Sequence, residues 1–111
     1  MSSSTPLACD LSALNEEARA EHQRISEDVL GSVSEIRERP DGYAFRLPTE
    51  TEAIQAAATF IARERLCCPF FDFTLEVERA HGPVWLSVSG REGVKQYIED
   101  NVVPTIEAAQ E

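Results

Sequence analysis

Lysine is almost missing from this chain. Lys95 is the one lysine in 111 residues, and ten basic residues face twenty acidic ones, for a formal net charge of −10. Binding to nucleic acid needs clustered Lys and Arg against phosphate, so this balance excludes DNA and RNA as partners. The same charge opposes docking on anionic membranes. Long apolar runs are also missing, none approaching the about 20 residues of a membrane-spanning helix. The start, Met-Ser-Ser-Ser-Thr-Pro, has neither the basic flank nor the apolar stretch of a signal peptide, and a cytoplasmic protein is expected. There is no glycine-rich phosphate loop, no Gly-x-Ser-x-Gly, no His-Glu-x-x-His and no Cys-x-x-Cys. Neither of the two histidines lies near a cysteine in sequence, so no Cys-His dyad is legible. No catalytic or cofactor-binding residue is assigned, and a binding protein is expected rather than an enzyme.

What is present is ordinary for a globular protein: 42% hydrophobic and 27% charged residues. A chain of this length makes one domain and buries a sufficient core without disulfides or metal. Residues 1–10 read as a flexible N-terminal tail, followed by a single α+β domain over 11–111. Leu14, Ala18, Ile25 and Val29 form one stripe of a helix over about 12–31, with Ser12 as N-cap and Gly31 at the stop. Pro40-Asp41-Gly42 turns the chain into Tyr43, Phe45 and Leu47, which alternate as a half-buried strand does. Thr49 and Glu52 match a capping box for a helix over about 50–67, which Pro69 ends near Cys67. Phe71, Phe73, Leu75 and Val77 alternate in a second hairpin that turns at His81-Gly82-Pro83 and returns through Val84, Leu86 and Val88. Ser89 and Glu92 match another capping box, opening a last helix through Val94, Tyr97, Ile98 and Val102. The fold expected is an N-terminal helix and two ββα units, with a four-stranded antiparallel sheet and helices mainly on one face. The two units look alike, as if duplicated. Self-association as a homodimer is left open by the sequence.

Three cysteines in an expected reducing compartment make a disulfide framework a poor explanation. The concentrated chemistry is the vicinal pair Cys67-Cys68, where a helix hands over to a strand beside Phe70, Phe71 and Phe73. Free cysteines are often buried as small hydrophobes, and packing is the bland explanation for the pair. On a continued helix Cys68 prolongs the stripe of Ile54 and Ile61, while Cys67 points away from it. Two adjacent thiols also suit a soft ion or metalloid such as Cu(I), Hg(II) or As(III), with zinc less favoured by adjacent spacing. A strained vicinal disulfide is the redox alternative. The negative end of a helix dipole raises a thiol's pKa, which favours an ion that displaces the protons itself over a waiting nucleophile. Cys9 is a candidate third sulfur. His22, at the edge of the first helix's stripe, would make a Cys₃His set but reads better as a half-buried structural histidine. Glu64 and Arg65 read as a solvated helix face able to tune the thiols. Tyr43 reads as core, and Trp85 is left open.

The segment Glu64-Arg65-Leu66-Cys67-Cys68-Pro69-Phe70, with Cys9 near the start and the Pro40-Asp41-Gly42-Tyr43 turn, resembles a group of small uncharacterised bacterial proteins. These carry an E-R-x-C-C-P-F motif and an early cysteine, and they are loosely associated with heavy-metal and metalloid resistance gene neighbourhoods. The resemblance covers Cys9 to about residue 98 and implies no catalytic residue. The leading expectation is thiol-based binding of a soft metal or metalloid ion through Cys67, Cys68 and Cys9, for sequestration or handover. The alternatives are a redox protein cycling a Cys67–Cys68 disulfide and a non-catalytic interaction module with structural cysteines.

Overall fold

Asn15 starts the first helix. Its side-chain oxygen accepts the N–H of Ala18 at 2.8 Å, filling one of the unpaired donors at the helix start, and α1 (Glu16–Gly31) runs from it. Ser12, the expected cap, instead bonds the Asp10 carboxylate within a short 3₁₀ turn at Leu11–Ala13, so the helix begins later than its spacing suggests. The computed structural model describes residues 10–110. The tail expected over 1–10, Cys9 included, therefore lies outside the described residues, except Asp10. That residue is anchored: its N–H donates to the carbonyl of Cys67 at 2.6 Å.

The two hairpins form one antiparallel sheet of β1 (Glu35–Arg39), β2 (Gly42–Leu47), β3 (Asp72–Val77) and β4 (Val84–Ser89), in the order β1-β2-β4-β3. The second strand of each hairpin sits at the centre. The register puts Ile36 opposite Phe45, Phe45 opposite Leu86, and Leu86 opposite Leu75, one apolar row across all four strands. Side chains alternate across a strand, so this row and its neighbours Leu47, Val84 and Val88 face one way. α1, α2 (Thr51–Cys67), α3 (Val94–Asn101) and α4 (Val103–Ala109) cover that face, and Val29, Ala57, Phe60, Val94, Ile98 and Ile106 complete the core. Each Val, Leu, Ile or Phe side chain taken from water contributes about 1.5–3 kcal/mol. The opposite face carries Arg37, Arg46, Thr74 and Glu76 around Trp85. Trp85 is nonetheless buried, because the Arg37 guanidinium lies 4.5 Å over its ring.

The α+β architecture and its antiparallel sheet are as the sequence predicts, but the capping boxes are not. α2 starts after Glu50 without a side-chain cap, and α3 starts after Gly93, whose φ of 96° is open to glycine. The last helix is also two. Pro104 in the first turn of α4 has no N–H to continue a helical ladder, and the chain breaks at Val102. Among the described residues no helix is long and apolar enough to cross a membrane.

Candidate metal centre

The end of α2 lies along the middle of α1. Glu64 and Cys67 are three residues apart, so they share one face of α2, and that face meets His22 of α1. His22 Nε2 lies 2.7 Å from Glu64 Oε1. A carboxylate oxygen only accepts, so Nε2 carries the hydrogen. The same oxygen lies 3.7 Å from Cys67 Sγ, whose thiol is also within reach of the Glu64 and Arg63 carbonyls at 3.6 and 3.9 Å. One imidazole nitrogen, one carboxylate oxygen and one sulfur thus lie within 4.8 Å of one another.

The group is held from behind. His22 stacks on Phe60 with ring centroids 5.6 Å apart, and Phe60 meets Phe73 edge-on at 6.3 Å. Phe71 links Phe73 to Phe70 and Tyr97 through further edge contacts. The aromatics that follow the cysteines in sequence therefore lock the turn to the core, where the site sits. His22 is 4% exposed and its Nδ1 is buried with no hydrogen bond among the described residues. In front lies a cleft of about 590 Å³ whose lining includes Arg19, His22, Glu64, Cys67, Cys68, Asn101 and Thr105.

Cys67 is a free, buried thiol. Burial, then the Glu64 charge and the hydrogen bond to Glu64, push it up from 9.0 to about 11. At neutral pH it is protonated and is a poor nucleophile. The expectation that Cys67 points away from the core fails: at the end of α2 it is 1% exposed, on the side of the helix where Glu64 meets His22 of α1. The Cys67–Cys68 disulfide of the redox alternative is not formed, since Cys67 is free. Cys68 is fully buried at the end of α2, its N–H donates to the Glu64 carbonyl at 2.7 Å, and it is disulfide-bonded. The sequence reading against disulfides is therefore wrong for this residue. Cys9 lies outside the described residues.

The vicinal pair is thus present, and an imidazole and a carboxylate lie against the thiol of its first member. Sequence reasoning weighed His22 only as a distant fourth ligand and Glu64 only as a solvated tuner. The available signal was registry. His22 follows Ala18 and precedes Ile25 and Val29, which puts it on the face that docks, and Glu64 lies one turn before Cys67. Comparison of the chain with protein-family models, with curated proteins and with solved structures finds no match.

Proposed function

We propose that this domain binds a metal ion through His22 Nε2, Glu64 Oε1 and Cys67 Sγ, with the cleft as its entrance. The observation that carries it is the convergence of these three ligand atoms within 4.8 Å on one packed wall. Tetrahedral zinc, with bonds of about 2.0 Å to N and O and 2.3 Å to S, needs ligand separations of about 3.3 and 3.5 Å. The S···O separation of 3.7 Å is already suitable, and the N···O separation of 2.7 Å has to open slightly. One imidazole, one carboxylate and one thiolate are a mixed donor set, so a borderline ion such as Zn(II) suits it better than a soft ion that needs several sulfurs. Three protein ligands leave a fourth position open to the cleft, which suits handover of the ion to another carrier. A place in handling heavy metals or metalloids, the expectation drawn from the Cys-Cys-Pro-Phe resemblance, belongs to this proposal.

Ligation displaces the hydrogens that His22 and Cys67 direct at Glu64, so the ion is exchanged for protons. Calorimetry with the metal-free protein should show one Zn(II) per chain with proton release. Cys67→Ser and His22→Asn should each weaken binding by at least about tenfold, or 1.4 kcal/mol. Wild-type affinity retained by both variants would place the ion elsewhere and end this reading.

A further inference from the structure

Behind the cleft lies a second cavity, of about 80 Å³, and Ser26 and Glu64 line both. The two side chains meet at His22, whose Nε2 is 2.7 Å from Glu64 Oε1 and 3.5 Å from Ser26 Oγ, so they form one polar end. The rest is apolar. Phe45 of β2 with Leu86 and Val88 of β4 make the floor, and Leu30 of α1, Phe60 of α2 and Phe73 of β3 make the walls. Packed interiors leave few voids larger than a water, and an apolar void stays dry and takes apolar guests. A cavity of roughly 150 Å³ holds a benzene ring and a water occupies about 30 Å³, so this one holds an alkyl arm of about three carbons.

The polar end selects the head group. Among the described residues that line the cavity, Glu64 alone is charged. Its side chain is 18% exposed, and its ion-pair partner is the imidazole of His22, charged only when protonated, rather than a Lys or Arg. Taking a carboxylate out of water is costly unless positive charge and hydrogen bonds replace the water. A primary ammonium supplies both, with three N–H donors for the Glu64 carboxylate and the Ser26 hydroxyl. Phe60 and Phe73 stand at 85° to each other, and Phe73 and Phe71 at 78°, an aromatic corner whose ring faces attract cations. A carboxylate ligand would instead meet the Glu64 charge, and the field of a chain of net charge −10 also favours cations. We propose that this cavity binds a short-chain primary alkylammonium ion, its alkyl arm among the phenylalanines and its ammonium on Glu64 and Ser26. The site goes beyond the metal reading but shares Glu64 with it, so amine and metal compete for one carboxylate.

The test uses the metal-free full chain and three probes with one propyl arm: n-propylammonium, n-propanol and butyrate. Propylammonium should bind one per chain and move the Leu30 and Val88 methyl resonances. It should bind at least about tenfold more tightly than propanol, and butyrate should not bind. Shortening the amine's arm should weaken binding by about fourfold per methylene removed. Glu64→Gln should cut the preference for propylammonium over propanol to less than about twofold, while retained propanol binding shows that the cavity is still formed. Butyrate bound as tightly as propylammonium, methyl resonances unmoved by the amine, or the cation preference kept by Glu64→Gln overturns the site. The wild-type probe series needs no variant to fold. With no metal present, none of these outcomes depends on whether Zn(II) binds.

Discussion

Cys67 carries an expectation that can be checked without any metal. Its thiol is raised in the folded protein, so the stability it contributes is full below its ordinary value of 9.0 and is lost as pH rises through about 11. Urea unfolding of the metal-free protein should therefore show stability falling across that window by about 2 kcal/mol, measured against Cys67→Ala. The comparison matters because Tyr43, whose hydroxyl donates to Glu99 at 2.7 Å, is also pushed up, to about 12, and adds an alkaline loss common to both proteins. A wild-type curve parallel to that of the variant from pH 9 to 11 would show that Glu64 and burial do not act on this thiol. Glu64 is the pivot of the arrangement. It holds His22 in place and keeps Cys67 protonated, and both effects vanish when an ion takes the place of the hydrogens.

Among the elements, the sheet was the most legible in the sequence. Phe45, Leu47, Phe73, Leu75, Leu86 and Val88 alternate, and alternation admits one registry of faces for a half-buried strand. The helix ends were less so, because a cap depends on local backbone geometry that composition does not specify. Thr49 with Glu52 and Ser89 with Glu92 have the right spacing for a capping box, yet Glu50 and Gly93 took the cap positions. The candidate site was half legible. Cysteine identity marked α2's end, but that His22 and Glu64 meet there follows from how α1 docks on α2, a long-range choice no local pattern records. One strand residue tests the sheet directly. A Cβ at Gly42 would run into the Val88 carbonyl oxygen and lie 2.7 Å from Ser89 Cα, where β2 passes β4. Gly42→Ala should cost about 1–3 kcal/mol, read as a lowered midpoint in chemical denaturation. An unchanged midpoint would mean that the two central strands part at this end without cost.

At the scale of the whole molecule, twenty acidic residues against ten basic ones set two opposite salt responses. Self-repulsion of the folded state is relieved as the Debye length shrinks from about 30 Å at 0.01 M to about 8 Å at 0.15 M. The melting temperature of the metal-free protein should rise with sodium chloride over that range. The rate of divalent-ion uptake, drawn by the same field, should fall. Scanning calorimetry and stopped-flow uptake on one preparation check both. Salt moving the two quantities in the same direction would show that the field of the whole protein governs neither.

The strand order leaves β1 and β3 with one rim each unpaired. The two rims are not equally protected. β1 reads Glu-Ile-Arg-Glu-Arg, a short strand whose charges repel a second chain before its backbone can pair. β3 has Asp72, Thr74 and Glu76 on its outer side, but Val77 is 52% exposed and Leu66 of α2 is 44% exposed. Acidic side chains are thus the chief barrier to strand addition along β3. Neutralising them by acidification would strip that barrier while leaving the arginines of β1 charged, so precipitation of this protein at low pH would start from β3, on the side of the sheet away from β1.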